Sequence, residues 1–111
     1  MAKLMFVLYR RANISHEQAL AEWNGPRHSS IVSEIPGLKR WVQNHVTVLP
    51  HETAADGIGE LWFDDADALE RAMNSPEMTA AAEDAGTFLD MQRTYAVVVD
   101  EKTVIGAEAT V

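Results

Sequence analysis

Along this chain the spacing of apolar residues switches between the strand period of two and the helical period of about 3.6, and turn residues mark each switch. Residues 3–10, KLMFVLYR, form a short apolar run rich in β formers that Asn13 and Ser15 bring to an end, which predicts a first strand. Ser15 followed by Gln18 is a capping box. It predicts a helix that begins at His16 and turns Ala19, Leu20 and Trp23 inward. Gly25 and Pro26 interrupt the pattern, yet proline in the first position of a helical turn removes no needed donor, so a second helical stretch runs from there to Glu34. On it Asn24, His28, Ile31, Val32 and Ile35 share one face. Pro36 and Gly37 stop that helix, and residues 38–49 alternate as a long strand. Trp41, Gln43, His45 and Thr47 lie on one side of it, and Arg40, Val42, Asn44, Val46 and Val48 on the other. After the polar stretch HETAADG, GIGELWF at 57–63 reads as a third strand. DDADALERAMN then reads as a helix with Ala66, Leu69, Ala72 and Met73 facing inward. Ser75 before Pro76 starts a further short helix through Ala85 that Gly86 ends, and residues 88–99 supply the last strand.

Strand, helix, strand, strand, helix, strand is the α+β order of a split βαβ unit. It predicts a ferredoxin-like βαββαβ fold with a four-stranded antiparallel sheet and helices on one face. The uncovered face, carrying large groups at Trp41 or Trp62, would leave an apolar patch in water, so a homodimer through the sheets is expected.

Composition narrows the function. A chain of 111 residues with 47% hydrophobic content makes one domain with a real core. It has no run of about 18 apolar residues and no signal-peptide pattern, so no membrane partner and a cytoplasmic location are expected. Without cysteine there is no disulfide, thiol nucleophile or thiolate metal ligand. The net charge of −8 is uneven: residues 1–51 hold six Lys/Arg against three Glu, and residues 52–111 hold three against fourteen Asp/Glu. An acidic chain offers no concentrated cationic face to phosphodiesters, which argues against nucleic acid. The early arginines Arg10, Arg11, Arg27 and Arg40 are either scattered surface charges or a grip for one carboxylate or phenolate of a small ligand.

The titratable group with the most informative setting is His28, alone on an apolar helical stripe. It is either a core histidine satisfied by one hydrogen bond or, if a cavity lies beside it, an acid or base. The helix start disfavours an imidazolium, which favours a neutral ring able to accept a proton. The four histidines show no HxxxH or HxH spacing, and the acidic run at 64–67 suits a helix N-terminus, so no metal is expected. His51 falls in a loop able to fold over a pocket mouth. Glu60 points to the sheet face opposite the helices, where Arg93 or a partner group would pair with it. The three tryptophans are core residues or stacking surfaces for a flat ligand.

Trp23 with His28, PGLKRWV at 36–42, DGIGELWFDDADALERAM at 56–73, NSPEM at 74–78 and FLDMQR at 88–93 together resemble the EthD family of dimeric α/β-barrel proteins. The resemblance covers about residues 3–100. It implies an EthD-like domain over 1–100 and a C-terminal extension at 101–111 that reaches the partner subunit. It also implies a pocket between sheet and helices with His28 as its polar focus. Trp23, Trp41 and Leu61 are then expected as substrate-binding walls, and Arg40, from the early excess of positive charge, at the rim. A similar methylmuconolactone methylisomerase carries a cysteine on the third strand and a tyrosine on the second. Leu61 and Trp41 stand at those positions here, which leaves the histidine without a second titratable group. Two functions follow from this reading. One is a cofactor-independent enzyme, of isomerase, oxygenase or cyclase type, in which His28 acts as acid or base on a small hydrophobic aromatic or lactone-like metabolite. The other is a non-catalytic dimer that binds such a molecule or assists a degradation-pathway oxygenase.

Overall fold

The structure, a computed structural model, describes residues 1–106. Strand β1 (Ala2–Leu8) leads to helices α1 (His16–Trp23) and α2 (Pro26–Val32). Strands β2 (Arg40–His45) and β3 (Gly57–Phe63) follow, then α3 (Ala66–Met73), α4 (Pro76–Ala85) and β4 (Tyr95–Val99). The sheet order is β2-β3-β1-β4 and every neighbouring pair is antiparallel. This is the α+β, ferredoxin-like arrangement that the order of elements predicts. No helix among the described residues is long and apolar enough to cross a membrane. Of the expected tail at 101–111, residues 107–111 lie outside the described residues; Glu101 bonds Lys3 of its own chain.

Local chemistry sets the helix starts. Ser15 and Gln18 form the reciprocal capping box, Asp65 caps α3 through the amide of Ala68, and Ser75 caps α4 through the amide of Met78. The helix break at Pro36-Gly37 works because Gly37 adopts φ +77°, which only glycine enters without strain.

Two strand boundaries and one helix face are corrected. The strand at 38–49 is confined to Arg40–His45, because the chain leaves the ladder after Val46 bonds the carbonyl of Asp56. The strand at 88–99 begins only at Tyr95: the Asp90 side chain accepts from the amide of Gln92 and its carbonyl accepts from Thr94, closing a turn. That turn drops Phe88 and Leu89 into the core before the edge strand starts. On α3, Leu69 and Ala72 are buried as expected but Ala66 and Met73 are exposed. The buried arc is centred on Ala68, Leu69 and Ala72, about a quarter turn away from both.

The covered face of the sheet holds Leu4, Phe6, Leu8, Trp41, Leu61 and Phe63 against the helices. Gly57 and Gly59 of β3 leave room for the indole of Trp23 to lie on the strand. A Cβ at Gly57 would come within 2.6 Å of Trp23 Cζ3 and 3.1 Å of the Asn44 carbonyl oxygen. Gly57→Ala should therefore cost about 2 kcal/mol through overpacking, read as a lower urea midpoint with an unchanged slope.

On the opposite face, Trp62 is held between the Lys3 ammonium, 4.6 Å from the ring centre, and the Arg40 guanidinium at 4.7 Å. Glu60 does face this side, but it does not pair with Arg93. It binds Lys3 at 2.5 Å and accepts from the Asn44 amide, and these bonds hold its carboxyl below the usual range. Arg93 instead donates to the Thr53 carbonyl and lies over Tyr9.

Candidate active site

A cavity of about 80 Å³ opens between α2, α4 and the covered face of the sheet. Phe6, Leu8 and Leu61 form its floor, Val32 and Ala81 its helical walls, and Met78 and Met91 are its most adaptable boundaries. Trp23, His28, Trp41 and Leu61, singled out from the sequence, all border it. Trp41 and Leu61 are direct cross-strand partners, which places the indole and the leucine side by side on one face.

Arg40 does not join them. It alternates with Trp41 along β2 and so projects to the opposite face, where it stacks on Trp62; a one-residue offset on a strand reverses the side. His51 is also away from the cavity: it is exposed and bonds Thr53 within its own loop.

His28 is buried, with 5% of its surface exposed, and Phe88 and Trp41 meet its ring edge-on at centroid distances of 5.2 and 6.0 Å. Its Nδ1 lies 2.9 Å from Oδ2 of Asp84 on α4, whose other oxygen accepts from Arg27 Nε at 2.9 Å. A carboxylate is an acceptor only, so Nδ1 carries a proton, and in the neutral ring the lone pair lies on Nε2. Nε2 has no protein partner among the described residues and is not sealed from solvent-sized space, so it opens on the cavity. The result is a hydrogen-bond acceptor presented to an apolar chamber, its tautomer fixed from behind.

Sequence reasoning missed Asp84. The signal was present: Asp84 lies three residues after buried Ala81 and directly before Ala85, an acid on the inward face of an alanine-rich helix. Such a residue calls for a partner on the element packed against it, and α2 packs on α4.

A second buried network stands apart from the cavity. Asp56, 2% exposed, accepts from the Arg10 amide at 2.8 Å, from Arg10 Nη1 at 3.1 Å and from His16 Nδ1 at 2.6 Å. Burial pulls its carboxyl upward, but these donors outweigh it and hold the group below its ordinary value. His16 Nε2 also donates, to the Val46 carbonyl at 2.8 Å. With acceptors at both nitrogens the ring is an imidazolium, and the Asp56 hydrogen bond above all raises its pKa. This network ties the start of α1 to the loop between β2 and β3.

Known proteins share this architecture. An EthD (ethyl tert-butyl ether D) family protein from Bacillus halodurans C-125 is 26% identical, with a TM-score of 0.73 over 91% of this chain and 98% of its own. A dimeric protein of unknown function and ferredoxin-like fold from Bacteroides fragilis NCTC 9343 is 17% identical, with a TM-score of 0.65 over 90% and 95%. SnoaB, a cofactor-independent oxygenase from Streptomyces nogalater, is 13% identical, with a TM-score of 0.57 over 92% and 95%. The last two are similar in fold alone. No curated protein matches the sequence. A family model described as EthD domain matches residues 11–92, a span that takes in α1, α2, the cavity-lining strands β2 and β3 and both His28 and Asp84; the chain belongs to the EthD family.

Proposed function

We propose that this protein is a cofactor-independent enzyme of isomerase, oxygenase or cyclase type. Its substrate is a small hydrophobic aromatic or lactone-like molecule, and His28 is its general base. The observation that carries this reading is the unpartnered Nε2 of His28 facing an apolar cavity while Asp84 holds Nδ1. A base is effective when its lone pair points at the substrate proton, its tautomer is fixed and water is scarce around it. The cavity wall offers one imidazole and neither a carboxylate nor a thiolate to a metal, and a fold shared with a cofactor-independent oxygenase is consistent with chemistry driven by proton removal alone.

Mass spectrometry of small molecules co-purified with the protein identifies candidate substrates. With the true substrate, the rate should rise with pH and level off once the imidazole is neutral, because only the neutral ring accepts a proton. Added metal or flavin should not be needed. Loss of activity with a chelator, restored by a divalent ion, would remove the mechanism.

A second reading, a binding or accessory dimer without turnover, is favoured by one feature: His28 is the single ionisable side chain on the cavity wall among the described residues. It requires that bound ligand be recovered unchanged at every pH.

Either function is proposed to operate in a homodimer whose sheets pack face to face. The uncovered face carries Met5, Val7, Ile58 and the exposed Tyr95 and Val97, an apolar patch that a second copy would cover. The dimeric protein of B. fragilis has the same fold. Light scattering should give twice the 12.3 kDa chain mass at micromolar concentration; a stable monomer would contradict the proposal.

A further inference from the structure

We infer that the His28 cavity selects ligands that are uncharged and carry one acidic hydrogen-bond donor on a single flat ring, a phenol or a cyclic enol, and that it rejects carboxylates. The inference rests on the proposed role of the cavity and deepens it by naming what can enter.

Charge comes first. A carboxylate in an apolar chamber needs a cation to replace its water. Among the described residues no Lys or Arg side chain borders the cavity. Arg40 stacks on Trp62 on the far face of the sheet, Arg10 is bound to Asp56, and Arg27 spans Asp84 and Glu22 at the surface. The charge nearest the imidazole is the carboxylate of Asp84, and its ion pair with Arg27 leaves no cation there for a second anion. The reading of the early arginines as a grip for a carboxylate therefore has no place at this cavity.

Hydrogen bonding comes second. In the neutral ring Nε2 of His28 holds a lone pair, so its partner must donate. Thr94, the hydroxyl on the wall, is already engaged with the Tyr9 backbone. A ligand without a donor leaves Nε2 unmatched, whereas an O–H placed against it is satisfied and poised for transfer. In that transfer the ligand O–H bond breaks, Nε2–H forms, and the electron pair stays on the ligand oxygen. The products are an oxyanion beside an imidazolium, a pair with no net charge, and Asp84 stabilises the cation from behind.

Size comes third. At about 80 Å³ the cavity is smaller than the roughly 150 Å³ apolar void that takes up benzene, so even a single ring requires Met78 or Met91 to repack, which sets the proposed size limit at one ring.

The test is calorimetric titration of the full-length wild-type protein with phenol, anisole, toluene and benzoate at one neutral pH. Phenol should bind about tenfold more tightly than anisole or toluene, the usual worth of one matched hydrogen bond. Benzoate should bind at least about a hundredfold more weakly than phenol. His28→Phe should erase the advantage of phenol over toluene. Benzoate as tight as phenol would overturn the charge argument, and anisole as tight as phenol would overturn the donor argument; both leave the cavity reading standing. If no ring compound binds at all, the cavity reading falls together with this inference.

Discussion

Asp84→Asn should lower the rate of a proton-transfer step at His28 by about 10²–10⁴-fold while leaving the fold intact. The carboxylate fixes the Nδ1–H tautomer, which is what puts the lone pair of Nε2 on the cavity. An asparagine can turn its NH₂ toward Nδ1. The ring proton then moves to Nε2, and the base faces the substrate with a donor in place of an acceptor. The stability cost should be small, because the guanidinium that Asp84 gives up, Arg27, is 59% exposed and keeps Glu22. The change of tautomer is visible without a substrate: ¹⁵N NMR of the ring should show the proton on Nδ1 in the wild type and on Nε2 in the variant. His28→Ala should abolish turnover outright and keep the fold, since truncation enlarges a void that already exists and leaves Asp84 paired with Arg27. Unfolding of His28→Ala would make His28 a core histidine. An unchanged tautomer and rate in Asp84→Asn would remove the positioning role of Asp84.

How far these residues were legible in the sequence depends on whether their geometry is local. The capping box at Ser15, the proline start of α2 and the two faces of β2 are properties of a few consecutive residues, and they appear where the pattern places them. His28 could be assigned to an inward face for the same reason. Its partner could not be named, because Asp84 comes from a helix 56 residues away and the meeting depends on how α2 crosses α4. Arg40 shows the opposite failure. The strand period already placed it on the side away from Trp41, and only the reading of the early arginines as a grip for one anionic group drew it to the pocket. The boundary of β4 was misplaced because an apolar run does not say whether its first residues extend a sheet or, as with Phe88 and Leu89, fill the core ahead of an Asp90 turn. His16 was noted only as a helix start, since nothing near it in sequence hints that Asp56 and the carbonyl of Val46 will take both its nitrogens.

That last network carries the largest stability effect expected of a single side chain. Asp56→Ala should destabilise the fold by about 3 kcal/mol, because it strands the amide of Arg10, its guanidinium and the His16 imidazolium together. The figure lies at the low end for a broken buried pair because Arg10 and His16 are 22% and 14% exposed and regain some water. For a chain of this length the melting temperature should drop by roughly 10–20 °C. The pH dependence distinguishes this network from a merely well-packed carboxylate. The carboxyl of Asp56 is held below its ordinary value of 3.8, so its contribution is present above that value and is lost as pH falls through the depressed one. The imidazole of His16 is raised above 6.5, so its contribution is complete below 6.5 and is lost as pH rises through the raised value. Both terms act together between the two ordinary values, and the gap between wild type and Asp56→Ala should be widest in that window and narrow on either side. Urea denaturation across the pH range measures this directly. A gap that stays constant on the alkaline side would mean that His16 is not held as an imidazolium by Asp56.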